Sequence, residues 1–322
     1  MNVQPGALDE DGVLEALSQR LGKLHARQRL GIEQDHEARV FGHGINFFHP
    51  ENFYSAHALV EIGLKATGLY WRGRKNAKNV QLRHNTFASR TLPSAFNGYT
   101  ILHLSDLHID TNAEAMARMT DLLAGLRYDI VVMTGDYRGR TFGTYRDTLD
   151  GLARIRDKLK GEAYAVLGNH DTIRMVPGME AMGFRLLLNE AVELVRASQR
   201  LHLVGVEDAH YFRLDNIEKA AAHIPEGEFS ILLSHTPELY RQAVHAAFDI
   251  MLCGHTHGGQ ICLPGAVPVT LDAVLPRMLA AGAWEYRGML GYTSVGAGTS
   301  IVPVRINCLP EITLHTLRCS GV

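Results

Sequence analysis

Apolar residues recur along the chain in two rhythms, and the change between them falls near residue 98. Ahead of it the period is helical. Val13, Leu14, Leu17, Leu21 and Leu24 stand three and four residues apart, which predicts a helix over 11–29. A second helix is expected over 52–71, with Phe53, Ala56, Val60, Leu64 and Tyr70 on one side and Leu59, Ile62 and Leu69 widening it. Beyond residue 98, short apolar runs alternate with amphipathic stretches. Strands are expected at 100–105, 129–135, 163–168, 201–206, 229–234 and 249–254, with further ones in "GYTSVGAG" and "PEITLHTLR". Helical patterns such as "AEAMARMTDLLAGL" and "TYRDTLDGLARIRDKL" separate several of them. The alternation predicts an α/β fold with a mostly buried sheet, preceded by a mainly helical extension over 1–97.

Composition narrows the picture a little. With 46% apolar and 20% charged residues in a chain of 322, an ordinary globular core is expected. The net charge of −2 gives no overall attraction to nucleic acid, and no specific nucleic-acid partner is expected. Cys253, Cys262, Cys308 and Cys319 form no C-x-x-C pair, so a reducing, cytoplasmic setting is expected rather than a disulfide framework. The first residues are polar and acidic, unlike a secretory signal, and no apolar run approaches the length of a membrane span.

The chemistry sits just after the strands, where open α/β sheets bind ligands. The expected strand ends are followed by Asp106 and His108, by Asp136, by Asn169, His170 and Asp171, by His235, and by His255 and His257. Residues i and i+2 of extended chain point the same way, so Asp106 with His108, and His255 with His257, can share a site. Oxygen and imidazole donors without thiolate suit Mn, Fe or Zn and do not choose among them. A single D-x-H or H-x-H is weak evidence. Five strand ends carrying such residues together predict a metal centre.

In "SDLH", "GD", "GNHD", "SH" and "GHTHGGQ" the chain resembles the calcineurin-like metallophosphoesterase superfamily over about residues 98–318. "LPSAFNGYTILHLSDLH", "GHTHGGQICLP" and "GAGTSIVPVRINCLPEITLHTL" are similar to a bacterial branch that includes membrane-associated phosphodiesterases and UDP-2,3-diacylglucosamine pyrophosphatase-like proteins. The resemblance implies a four-layer α/β/β/α sandwich over 98–322 and two divalent ions. It implies that Asp106, His108 and His257 hold one ion, Asp136 bridges both, and Asn169, His235 and His255 hold the other. It places His170 beside them, with Asp171 orienting it, and implies attack on phosphorus by a hydroxide shared between the metals. Many relatives carry an acidic residue soon after the second block, where this chain reads "GDYRGR". Arg138 and Arg140 are either phosphate contacts or loop residues. Gln260 either faces substrate or braces its turn.

The function expected is hydrolysis of a phosphodiester or pyrophosphate in a membrane-associated substrate such as UDP-2,3-diacylglucosamine. The alternatives are a soluble nucleotide phosphodiesterase, a phosphomonoesterase or protein phosphatase, and a silent scaffold. No Asp or Glu lies between Ile62 and Ser105, while Lys65, Arg72, Arg74, Lys75, Lys78, Arg83 and Arg90 do. The segment 52–78 is therefore either a basic helix lying on the inner face of the cytoplasmic membrane or a helix packed on the catalytic domain. Residues 267–284 offer Val269, Leu271, Val274, Leu275, Met278 and Leu279 either to an acyl chain, as a lid, or to an ordinary packed helix.

Overall fold

The computed structural model of the chain describes residues 10–41, 54–300 and 302–321. Two helices open it, α1 (Glu10–Leu21) and α2 (Lys23–Phe41), in place of the single helix expected over 11–29. Gly22 between them has a φ of 87°, a left-handed conformation that glycine adopts without strain. Val13 and Leu17 of α1, and Ala26 and Leu30 of α2, are buried in the core of the domain that follows. The second expected helix is likewise divided, into α3 (Tyr54–Ala66) and α4 (Leu69–Ala77), and Phe53 lies outside the described residues. Leu64 and Tyr70 pack with Val302 and Val304. So α3 and α4 are packed on the domain, although Ile62 and Trp71 remain exposed.

β1 (Gln81–Ser89) follows, ahead of the boundary at 98, and its sequence did not announce it. It is an edge strand with Phe87 its one fully buried side chain, so no apolar alternation marks it. Next come β2 (Thr100–Leu104), α5 (Ala113–Leu123), β3 (Ile130–Thr134), α6 (Arg146–Arg156), β4 (Ala163–Val166), α7 (Val176–Ala181) and β5 (Phe184–Leu186). A second sheet begins with β6 (Glu190–Arg196) and β7 (Gln199–Gly205), and continues through α8 (Ile217–Ala221), β8 (Ser230–Leu233), α9 (Tyr240–His245) and β9 (Ile250–Cys253). A small hairpin of β10 (Cys262–Leu263) and β11 (Val267–Pro268) precedes β12 (Gly282–Tyr286) and β13 (Met289–Thr293). β14 (Glu311–Cys319) then returns to the first sheet.

The first sheet has the order β1-β14-β2-β3-β4-β5 and the second β12-β13-β9-β8-β7-β6. β2, β3, β4 and β5 are mutually parallel, as are β13, β9, β8 and β7. The alternation of strand side chains assigns the faces. In β3, Val131 and Met133 join the core shared with α1, α2, α5, α6 and α7, whereas Ile130 and Val132 join Leu203, Ile231 and Leu252 of the second sheet. On the far side, Val204, Leu232 and Met251 meet Ala220, Tyr240 and Ala243 of the outer helices. The result is the four-layer α/β/β/α order. Because both faces of each central strand are covered, the strands read as unbroken apolar runs.

Residues 269–276 form no helix: Pro268 and Pro276 bracket irregular chain that leads to a short 3-10 turn at Arg277–Leu279 and then β12. The packed-helix reading of 267–284 is therefore corrected. Leu279 is buried, whereas Val269, Val274 and Met278 are exposed. Among the described residues no helix is long and apolar enough to cross a membrane.

Candidate metal centre

The parallel strands deliver their polar termini to one place. β2 is followed by Asp106 and His108, β3 by Asp136, β4 by Asn169 and His170, β8 by His235, and β9 by His255 and His257. Candidate ligand atoms of Asp106, His108 and His257 lie within 4.8 Å of one another, and so do those of Asp136, His235 and His255. Asp136 stands between the two sets, with Oδ2 3.3 Å from His235 Nε2 and 3.8 Å from His108 Nε2. Asn169 Oδ1 is 2.9 Å from His235 Nε2. All seven side chains are buried.

The backbone is strained at this point. Asp106, His108, Asp136, His255 and His257 have φ between 40° and 70°, where a non-glycine residue costs on the order of 1–3 kcal/mol. Hydrogen bonds across the strand ends hold them there: Asp106 N donates to Gly135 O, His108 N to Asp136 O, and Gly254 N to His235 O. The loops also press together closely. A Cβ on Gly254 would overlap Ser105 and Asp106, and one on Gly168 would overlap Asp136.

The outward nitrogens of three imidazoles meet backbone carbonyls. His108 Nδ1 is 2.9 Å from Arg138 O, His235 Nδ1 2.7 Å from Thr134 O, and His255 Nε2 2.6 Å from Asp272 O. Donation to those carbonyls turns the other ring nitrogen of each towards the cluster. His257 differs: its Nε2 is 3.0 Å from His108 Nε2, and its Nδ1 is 3.2 Å from Nη2 of the buried Arg305. Burial, His108 and Arg305 together hold His257 uncharged. Burial opposes charge on His235 as well, but Asp136 outweighs it and pushes that imidazole up to about 10. Buried oxygen and imidazole donors grouped in this way fit divalent Mn, Fe or Zn, an ion displacing the proton that Asp136 stabilises on His235.

A chain of hydrogen bonds runs under Asp106 and was not anticipated. Ser105 Oγ donates to Asp106 Oδ2 at 2.6 Å, and Thr134 Oγ1 to Ser105 Oγ at 2.7 Å. His103 Nε2 is 2.8 Å from Thr134 Oγ1, and His103 Nδ1 is 3.2 Å from His315 Nε2. Asn85 Nδ2 of β1 closes the chain on His315 Nδ1 at 3.1 Å. A donor pointing the same way at every step satisfies all five side chains. Burial pushes His103 down to about 3, so it stays neutral and keeps this polarity. The apolar-looking strands β2 and β14 each contain one histidine, "TILHL" and "EITLHTLRC", the only signal of the chain in the sequence.

His170 lies beside the cluster, its Nε2 3.9 Å from Asp136 Oδ2 and its backbone N donating to Asp136 Oδ1 at 2.9 Å. Asp171 does not orient it. The Asp171 carboxylate instead accepts from the backbone N of Asp136, Tyr137 and Gly168 at 2.8, 2.9 and 2.9 Å, bracing the loop that carries Asp136. The partner of His170 Nδ1 is Thr141 Oγ1 at 3.1 Å. Arg138 is also corrected as a substrate contact: it is buried and its guanidinium donates to the carbonyls of His170, Thr141 and Gly143. Arg140 is exposed and stays available. Gln260 braces its turn, with Nε2 donating to Ser300 O and Val302 O and Oε1 accepting from Ser300 N.

Comparison with known proteins gives the family. Residues 99–259 match the calcineurin-like phosphoesterase family, a span covering half of the chain. The chain is 28% identical to the uncharacterized metallophosphoesterase YkoQ of Bacillus subtilis (strain 168), an alignment covering 77% of this chain and 94% of that protein. It is 28% identical to the phosphodiesterase YaeI of Escherichia coli (strain K12), covering 68% of this chain and 82% of that protein. It is 26% identical to the uncharacterized metallophosphoesterase YkuE of B. subtilis (strain 168), covering 82% and 95%. The chain belongs to the calcineurin-like phosphoesterase family and is a metal-dependent phosphoesterase.

Proposed function

We propose that the protein hydrolyses a phosphodiester or pyrophosphate bond at a centre of two divalent ions. The observation that carries this reading is the position of Asp136, whose Oδ2 faces His108 on one side and His235 on the other. Asp106, His108 and His257 would hold one ion and Asn169, His235 and His255 the other, with Asp136 shared between them. Ions bound there would supply positive charge to the phosphoryl oxygens and acidify a water. The protein's own residues do the rest. His170, outside both ligand sets, donates a hydrogen bond to a phosphoryl oxygen and, when protonated, gives its proton to the departing oxygen. Thr141 fixes the ring through Nδ1, leaving Nε2 directed at the cluster. Arg140 is the remaining candidate for a phosphate contact in the second loop.

The reading of diester over monoester is supported by the phosphodiesterase among the relatives. A membrane-associated substrate, UDP-2,3-diacylglucosamine being one, is supported by the exposed apolar residues of the loop after β11. Asp272 of that loop caps His255, while Val269, Val274 and Met278 face outward.

The test is hydrolysis of bis-p-nitrophenyl phosphate, p-nitrophenyl phosphate and UDP-2,3-diacylglucosamine by protein loaded with Mn, alongside metal analysis. Asp136→Ala and His257→Ala are expected to lose bound metal and turnover together. His170→Ala is expected to retain metal and lower kcat by roughly 10²–10⁴. Full turnover after metal removal, or in Asp136→Ala, would discard the two-ion reading. Preference for the monoester would discard the diester reading.

A further inference from the structure

The loop that carries Asn169 and His170 is gripped from outside the segment matched by the family. Glu33 of α2 accepts from Thr172 Oγ1 at 2.6 Å and from Ile173 N at 2.8 Å, and pairs with Arg174 Nη1 at 3.0 Å. One turn earlier, the fully buried Arg29 donates from Nη2 to Asp171 O at 3.0 Å. Its guanidinium lies 3.2 Å from Glu33, 3.9 Å from the buried Glu207, and 3.3 Å over the ring of Phe212. The three residues after His170 are thus tied to one face of α2, while the carbonyl of His170 is tied to Arg138 on the other side. A cavity of about 230 Å³ opens between these elements, walled by Glu33, Thr172, Phe212 and by Thr141, the residue bonded to His170 Nδ1.

A helix that served only to cover the core would need apolar contacts such as Ala26 and Leu30. It would not need a buried arginine and glutamate directed at the backbone of a catalytic loop, since burying charge is costly unless every group is paired. We propose that Glu33 and Arg29 are positioning residues for His170, which makes the N-terminal hairpin α1–α2 a working part of the active site. This rests on the reading of His170 as a group that meets the phosphoryl or leaving oxygen.

The experiment compares full-length wild type, Glu33→Ala, His170→Ala and the double variant, all loaded with Mn, by kinetics on bis-p-nitrophenyl phosphate and by amide hydrogen exchange. Glu33→Ala is expected to lower kcat about tenfold or more with KM and bound metal unchanged. Added to His170→Ala, it is expected to cost almost nothing further, because both changes remove the same contribution. Glu33→Gln, which keeps the acceptor for Ile173 N, is expected to recover part of the rate. Hydrogen exchange reads the grip whether or not this ester is turned over: residues 168–174 are expected to exchange faster in Glu33→Ala, with β3 and β8 unchanged. Unaltered exchange over 168–174 would overturn the proposal. So would a kcat loss that multiplies with that of His170→Ala, which is how general destabilisation behaves. Faster exchange with no effect of His170→Ala on rate would instead place the failure in the reading of His170, and the positioning role would fall with it.

Discussion

Ser105 precedes the first ligand and was read as no more than the end of a strand, yet it holds the Asp106 carboxylate at 2.6 Å and is held in turn by Thr134. A donor on Oδ2 fixes the carboxylate rotamer, and groups that orient a ligand in this way typically contribute 10–100-fold to metal affinity. Ser105→Ala is therefore expected to weaken Mn binding about tenfold in a calorimetric titration while leaving the fold intact. An unchanged affinity would show that Asp106 is held well enough by the backbone N of His255, which donates to both its oxygens at 3.1 Å. The orienting role that the resemblance implies for Asp171, and the phosphate contact open to Arg138, both give way to one local feature. The left-handed turn at Asp136 sends the backbone N–H groups of residues 136 and 137 towards the Asp171 carboxylate, and the same turn buries Arg138.

At the scale of elements, what was legible was whatever repeats. The central strands β2, β3, β4, β8 and β9 stand where apolar runs predicted them, and each hands over the residues that had marked the site. Single residues that end or bend an element were less visible. Gly22 and Gly68 divide two expected helices without interrupting their apolar period, because the helices on either side bury the same kind of face. β1 was invisible because an edge strand needs few apolar residues, and its pairing with β14 depends on backbone groups that every sequence has. The docking of α1 was also hidden, since it depends on residues far apart in the chain. Arg20 reaches Glu190 with contacts of 2.6 and 2.8 Å and Glu180 with one of 2.8 Å. The forked geometry strengthens these contacts. The groups are about 30% exposed, however, and water screens them. Arg20→Ala is expected to lower unfolding stability by about 1 kcal/mol, seen as a lower urea midpoint with an unchanged slope. A midpoint equal to wild type would mean that Val13 and Leu17 hold α1 without help.

At the scale of the whole molecule, the outer face of the basic segment bears on where the protein works. The two readings of the basic segment turn out to be compatible: α3 and α4 are packed through Leu64 and Tyr70, yet Trp71 is 71% exposed and Ile62 63%. Not all of the basic charge is available to a partner. Lys65 pairs with Glu61, Lys78 with Glu114, and Arg72 donates to Asn307. Lys75 is exposed and no acidic residue follows until Asp106. Contact with an anionic surface would place the Trp71 ring in the interface, with a few cations contributing about 1 kcal/mol each. The chain's second tryptophan, Trp284, is buried under the second sheet, so fluorescence can separate the two. Vesicles of phosphatidylglycerol are expected to pull the full-length protein down on sedimentation and to shift its emission to the blue, more at low salt than at high. Phosphatidylcholine vesicles are expected to do neither, and Trp71→Phe to remove the shift. If the protein stays in the supernatant with both lipids and its emission does not move, the exposed ring is ordinary surface.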